Sequence, residues 1–387
     1  MLSLADIVRH YQARFDTPPL LVRACGRINI IGEHTDYNEG YVLPASIDKY
    51  IYFALAENGT EYCRFYAANL DDRYEANINE LVPGEKGWAN HLMGILQQLQ
   101  KAGVALEGID CVFGGDLPIG SGMSSSAALE CGFALGLCSL FNLEYSRKEL
   151  ALLAQRASHE FSGIPCGIMD QFASLMGREG QAIKLDCRSL AYEYIPLELG
   201  DYELVLVNSK VSHELGNSAY GERVAECRAG VEALQQYFPQ VASLRDADLA
   251  MLEQARAGMD EVVFRRCAYV IQENARLLEA CACLSAGDME RLGQLLTATH
   301  AGLRDEYEVS CAEIDFLVDS AAAHPACLGS RVMGGGFGGS TINLVGKEAV
   351  AVFVKDILQA YRKKYGIKAE AYIAQVVDGT STVRGED

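Results

Sequence analysis

Three short stretches of this chain carry side chains suited to polyol and phosphate chemistry. In the first, a loop bracketed by Gly32 and Gly40 gathers Glu33, His34 and Asp36. Clustered carboxylates suit a polyol, because a charged oxygen accepts strong hydrogen bonds from hydroxyls. A missing hydroxyl leaves such a group unpaired, which gives specificity. A metal site on the same residues and a solvated charged turn are the competing readings; the seven histidines are scattered, without a paired-His motif. The second stretch is Pro118-Ile119-Gly120-Ser121-Gly122-Met123-Ser124-Ser125-Ser126-Ala127. Gly120 and Gly122 permit backbone dihedrals closed to other residues. Ser124 to Ser126 lie where a helix begins, with unpaired N–H groups at the positive end of its dipole. This is a phosphate cradle, or an ordinary glycine turn before a serine cap. No Gly-Lys-Ser/Thr follows, so it is not the common P-loop, and a serine hydroxyl must do part of the cation's work by holding magnesium. The third stretch runs from Glu160 to Asp170. Asp170 falls in the first turn of a helix predicted over Ile168–Met176, as a helix-favoured acid or as a base. Glu160 ends the preceding helix, where a carboxylate needs a positive neighbour, either Arg156 or magnesium.

These residues need elements to hold them. Leu20–Ala24 reads as a strand feeding the Gly32 loop, and Ile109–Phe113 as a strand leading into the serine loop. The apolar, alanine-rich run Ala128–Leu143 reads as a buried helix. Ser146 and Glu149 form a capping box, and Leu150, Leu153, Ala154 and Ala157 give that helix an apolar face. Further strands are expected at Ile47–Glu57, Arg64–Leu70, Ala182–Asp186 and Tyr192–Ile195, with a helix from Trp88 to about Lys101. A second half starts at Leu204. There Ser212–Tyr220 is polar and flexible, and helices follow near Glu222–Phe238, Glu261–Ala286 and Asp288–Leu303. A second glycine-rich loop, Met333–Gly339, precedes a strand (Thr341–Val345), a helix (Lys347–Tyr365) and a strand (Lys368–Val376). That unit fits a ferredoxin-like domain. The expected fold is therefore α/β (α+β), with a first domain at 1–203 and a second at 204–387.

Composition narrows the function. The net charge of −19, from 33 basic and 52 acidic residues, argues against nucleic acid or an anionic membrane as partner, yet leaves room for ATP in a local pocket. Met1–Asp6 lacks the basic and apolar regions of a secretory signal, and the Ala127–Leu143 run is too short to span a bilayer and carries Glu130. The 13 cysteines are an odd number without a Cys-x-x-Cys pair. Reduced thiols in the cytoplasm are the expectation, with Cys131 and Cys138 serving as small core hydrophobes. No obligate protein partner is indicated.

The ten-residue serine stretch resembles the second signature motif of the GHMP kinases, the small-molecule kinases named for galactokinase, homoserine kinase, mevalonate kinase and phosphomevalonate kinase. Residues 26–37, Gly-Arg-Ile-Asn-Ile-Ile-Gly-Glu-His-Thr-Asp-Tyr, resemble the galactokinase signature, with Cys25 where proline is usual. Cys166-Gly-Ile-Met-Asp-Gln171 matches the same family, and Met333–Gly339 is similar to the third GHMP motif, with Gly334 in place of a threonine. The resemblance runs from about Leu20 to Val376. It implies a GHMP kinase fold, with the active site in a cleft between a mixed α/β domain and a ferredoxin-like one. It also implies phosphorylation of α-D-galactose by ATP at the anomeric hydroxyl. Asp170 is the implied base, and Arg27 the group that stabilises the transferring phosphoryl. Glu33, His34, Thr35, Asp36, Gly167 and Tyr220 are the implied sugar contacts. Gly120, Ser121, Gly122, Met123, Ser124, Ser125 and Ser126 would bind ATP, and Ser126 and Glu160 would hold Mg2+. Trp88 would lie near the adenine, beside His91 where relatives often have tyrosine. An N-acetylgalactosamine kinase shares these motifs. A non-catalytic galactose sensor is the other alternative, but sensors of that kind lack the Ser126-Ala127 pair.

Overall fold

The computed structural model describes residues 2–212 and 216–383. The chain begins with α1 (Leu4–Gln12), β1 (Leu20–Asn29), β2 (Tyr41–Val42) and β3 (Pro44–Glu57). Then come β4 (Tyr62–Ala67), β5 (Asp72–Asn77), α2 (Gly87–Lys101) and β6 (Ile109–Gly115). Helices α3 (Ser125–Leu140), α4 (Arg147–Glu160) and α5 (Met169–Met176) follow, before β7 (Gln181–Asp186) and β8 (Tyr192–Pro196). The second half opens with β9 (Tyr202–Ser212), α6 (Gly216–Gln235), α7 (Leu249–Ala255) and α8 (Glu261–Ala286). It continues through α9 (Met289–Ala301), a π-helical turn (Gly302–Glu306) and α10 (Ala312–Ala322). It ends with β10 (Cys327–Met333), β11 (Gly338–Gly346), α11 (Val350–Tyr365), β12 (Glu370–Ile373) and β13 (Ser381–Val383).

The main sheet has the order β13-β1-β3-β6-β4-β5. Helix α3 is apolar around most of its circumference, as a helix enclosed on all sides must be, and it packs against β1 and β3. Gly132 permits this approach: a Cβ there would come 2.4 Å from the Phe53 ring. Close seating of α3 fixes its first turn, and with it the serine loop, at one end of the sheet. The expected capping box of α4 is present. Ser146 accepts from the Glu149 amide, and the Glu149 carboxylate accepts from the Ser146 amide at 2.7 Å.

The second sheet, β10-β11-β9-β12, is wholly antiparallel. With crossovers before β10 and through α11, this is the expected ferredoxin-like βαββαβ arrangement. The predicted break at 203/204 falls inside β9, and the chain end does not stay in the second half. Strand β12 stops at Ile373, short of the predicted Val376, because Gln375 and Val376 cross to pair with Asp48 and Ile47. Strand β13 then joins the first sheet beside β1. Of the stretch Ser212–Tyr220 expected to be flexible, residues 213–215 lie outside the described residues and 216–220 belong to α6. Among the described residues, no helix is long and apolar enough to cross a membrane, and all 13 cysteines are free.

Candidate active site

Strand β1 carries Arg27 to the centre of a cleft between the two halves. Its Nε donates to Asp170 Oδ1 at 2.9 Å, its Nη1 donates to the Gly122 carbonyl, and its side chain is 4 % exposed. Asp170 projects from the first turn of α5, and its Oδ2 accepts from the Ser124 hydroxyl. One carboxylate thus joins β1, the serine loop and α5. The serine loop enters α3 through left-handed residues at Gly120, Gly122 and Ser124. Gly122 also faces the second glycine loop: a Cβ there would come 2.8 Å from the Met333 carbonyl. Ser340 Oγ ties the two loops together by donating to the Ser121 carbonyl at 2.6 Å.

A cavity of about 550 Å3 lies over this junction, bounded by Arg27, Gly122, Ser124–Ser126, Asp170, Tyr220 and the Gly335–Gly339 loop. A smaller recess of about 60 Å3 continues from it, lined by Glu33, His34, Asp36, Gly167 and Gly334. Arg27, Cys166, Asp170, Tyr220 and Gly335 border both. On the other side of the serine loop an apolar pocket of about 250 Å3 is lined by Trp88, His91, Phe113, Leu117, Ile119, Ser125 and Ser126.

The acidic loop is held from the second half of the chain. Glu33 Oε1 accepts from Arg331 Nη1 and from the Gly334 amide, both at 2.9 Å, leaving Oε2 for a ligand. Fully buried Arg331 also donates to the carbonyls of Ile30, Asn29 and Val332. Such a buried charge is tolerated because every part of its fork is engaged. Burial, with the Asp170 carboxylate near, pushes the Asp36 carboxyl up to about 7. Burial pushes the His34 imidazole down to about 4, so it is neutral at physiological pH. Gly167 is demanded by contact: a Cβ there would sit 1.8 Å from Asp36 Oδ2. Gly167→Ala must displace the Asp36 carboxylate. The expected result is a sugar KM raised about 10- to 100-fold, the loss of a hydrogen bond to a charged group, with the melting temperature nearly unchanged. Steady-state kinetics checks this.

The structure thus brings Arg27, Glu33, His34, Asp36, Gly167, Asp170, Tyr220, Gly120, Gly122 and Ser124–Ser126 onto one cleft. Four predicted residues stand otherwise. The Thr35 hydroxyl is buried, 2.9 Å from the Gly32 carbonyl and 2.5 Å from the Tyr41 carbonyl, so it locks the loop. Ser121 turns inward to donate to the Pro118 carbonyl, and the Met123 side chain is buried in the core. Glu160 is the clearest correction. Its carboxylate is half exposed, bonds Lys101 at 2.7 Å and Gln98 at 2.9 Å, and is absent from the cleft wall. The positive partner its helix end demands is a lysine. The acid beneath the serine loop is Glu130, one turn from Ser126 on α3 and fully buried. It accepts from Ser158 and Gln171 and pairs with His91 at 2.7 Å. A lone carboxylate in an apolar helix is its only sequence signal. The donors fit a magnesium ion only in part: among the described residues, Ser126 reaches the cleft, Glu160 does not, and no cluster of three or more acidic, His or Cys side chains forms a metal site.

Comparison with known proteins gives the chain's family. Residues 9–57 match the galactokinase galactose-binding signature, residues 90–178 the GHMP kinases N terminal domain, and residues 277–364 the GHMP kinases C terminal domain. Galactokinase from Roseiflexus sp. (strain RS-1) is 39% identical over 384 residues, covering 99% of this chain and 98% of the relative. The chain belongs to the galactokinase family. Galactokinase from Lactobacillus helveticus is 40% identical over 367 residues, 92% of this chain and 94% of its own. The crystal structure of Lactococcus lactis galactokinase complexed with galactose superposes with a TM-score of 0.94 at 34% identity, covering 98% of this family member and 100% of that chain. A mevalonate kinase at 18% identity, with a TM-score of 0.63, shares the fold.

Proposed function

We propose that this chain transfers the γ-phosphoryl group of ATP to the anomeric hydroxyl of α-D-galactose, giving galactose 1-phosphate and ADP. The observation that carries this reading is the Arg27–Asp170–Ser124 junction, set where the acidic recess meets the serine-loop cavity. Glu33, His34, Asp36, Tyr220 and the Gly167 backbone orient the hexose. The N–H groups at the start of α3 and the serine hydroxyls hold the phosphates. The apolar pocket beside Trp88 takes the adenine. Asp170 accepts the proton of the anomeric hydroxyl as its oxygen attacks phosphorus. Arg27 offsets charge gathering on the transferring group. Most of the acceleration comes from positioning and electrostatics, since phosphoryl transfer asks little covalent work of the protein. A magnesium ion bound with ATP would neutralise phosphate charge, and the Ser126 hydroxyl on the cleft wall would be this chain's ligand to it.

A coupled ADP-release assay with galactose and, separately, N-acetylgalactosamine tests the reading. ADP release that depends on galactose and is weak with the amide sugar is expected; ADP release indifferent to galactose contradicts it.

The state of Asp36 adds a pH dependence. In the sugar-free protein its carboxyl titrates near 7, above the 3.8 of an exposed aspartate. The carboxylate that accepts hydrogen bonds from sugar hydroxyls is therefore complete above about pH 7 and lost below it. The expected kcat/KM for galactose falls as pH is lowered through about 7, and Asp36→Asn flattens that limb. The stability effect has the opposite sign. A raised folded-state pKa means the folded chain holds the proton more tightly, so this group's contribution declines as pH rises from about 4 to about 7.

A further inference from the structure

Behind the acidic recess, two tyrosines and a thiol extend a hydrogen-bonded chain from His34, and the proposed reaction uses none of these three. His34 is a left-handed residue, with φ 62°, anchored by the Asn38 side-chain amide donating to its carbonyl at 2.8 Å. Its Nδ1 lies 2.8 Å from the Tyr37 hydroxyl. The Tyr37 hydroxyl lies 2.7 Å from that of Tyr307, which lies 3.1 Å from Cys227 Sγ. Tyr307 follows the π-helical turn at Gly302–Glu306, so the chain joins the acidic loop of the first half to the helices of the second. Tyr269 packs against Tyr307 with the rings tilted by 41° and centroids 4.7 Å apart, and it donates to the Glu33 carbonyl at 3.1 Å. The other imidazole nitrogen, Nε2, is buried and makes no well-formed hydrogen bond among the described residues, with the Gly335 backbone lying against the ring. His34 itself borders the recess.

We infer that Tyr37 and Tyr307 are positioning residues that fix His34 as the Nε2–H tautomer, so that it presents a hydrogen-bond donor to a sugar oxygen in a recess otherwise rich in acceptors. The inference rests on the sugar-kinase reading for its ligand, but its geometry stands without one. The direction of the chain follows from donor strength. A phenol is a far stronger acid than a neutral imidazole N–H, so Tyr37 donates to Nδ1. Tyr37, having spent its one proton, accepts from Tyr307, which in turn accepts from the Cys227 thiol. The reverse order would end on thiol sulfur, a weak acceptor. Burial supports this by holding the Tyr37 and Tyr307 hydroxyls protonated and the imidazole neutral. A tautomer is set by the bond at the other ring nitrogen. Glu33 and Asp36 contribute acceptors to the recess.

The test is two-bond 1H–15N NMR of the full chain labelled with 15N-histidine, sugar-free and near neutral pH, with His34 assigned by its loss in His34→Gln. The wild type is expected to show His34 as a single Nε2–H tautomer. Tyr37→Phe is expected to turn it into a tautomer mixture and raise the galactose KM about tenfold with a smaller change in kcat. Tyr307→Phe, which keeps the ring packed against Tyr269, is expected to shift the same signals less. An Nδ1–H signal in the wild type, or unchanged histidine signals in Tyr37→Phe, overturns the inference. If Tyr37→Phe does not fold, Tyr307→Phe decides the question through the same signals, and histidine resonances unmoved by it overturn the inference. Absence of galactose-dependent turnover in the wild type would overturn the sugar-kinase reading instead and leave the tautomer result standing.

Discussion

Asp170→Asn is expected to reduce kcat about 10²- to 10⁴-fold, the usual contribution of general-base assistance, while leaving the galactose KM and the melting temperature almost unaltered. The reason lies in its contacts. An asparagine oxygen can still accept from Arg27 Nε, and the amide can still meet Ser124, so the junction of β1, α5 and the serine loop persists. What is lost is the capacity to take a proton. An interaction made only in the transition state lowers kcat and kcat/KM by the same factor. Stopped turnover with intact sugar binding is therefore the pattern expected; normal turnover would remove Asp170 from the role of base.

The second large effect is expected at Arg27. Arg27→Ala removes the charge facing the cleft and also leaves Asp170 and the Gly122 carbonyl without their donor. Loss of one preorganised electrostatic stabiliser costs on the order of 10²–10³ in kcat, and the misplaced base adds to it. Arg27→Lys restores the charge but not the fork that engages two partners at once, so it should recover only part of the loss. Because Arg27 and Asp170 touch, their losses should not multiply. The double variant Arg27→Ala, Asp170→Asn is expected to be little slower than the worse single one, as residues in contact couple. Steady-state kinetics on the four proteins measures this, and fully multiplicative losses would mean the two residues act separately.

What can be read from the sequence is whatever is local along the chain. The serine loop, the Glu33–Asp36 cluster and Asp170 each announce their chemistry within a few residues, and the structure gathers them on one cleft. Two residues follow a local rule to an unexpected partner. The helix end at Glu160 does require a positive neighbour, but Lys101, 59 residues away in sequence, supplies it. At Thr35 the hydroxyl closes the loop on backbone carbonyls instead of facing a ligand. The supports are hidden for the opposite reason: they are distant in sequence. Arg331 reaches Glu33 across a separation of 298 residues, and Tyr307 reaches Tyr37 across 270. Nothing in the composition around either marks it. Glu130 is visible only as a charge inside an apolar helix, and its burial with His91, Ser158 and Gln171 depends on three other elements. The return of β13 to the first sheet is equally hidden, since pairing with β1 is a tertiary event without a local pattern.

The central claim is geometric: a hexose and the terminal phosphate of ATP meet at the Arg27–Asp170 pair. A crystal structure with galactose and a non-hydrolysable ATP analogue bound together tests it most directly. The account predicts the anomeric oxygen within hydrogen-bond distance of the Asp170 carboxylate, the γ-phosphate beside the Arg27 guanidinium, and the remaining phosphates along Gly120–Ser126. A sugar seated away from Glu33 and Asp36, or a γ-phosphate remote from Arg27, would contradict it.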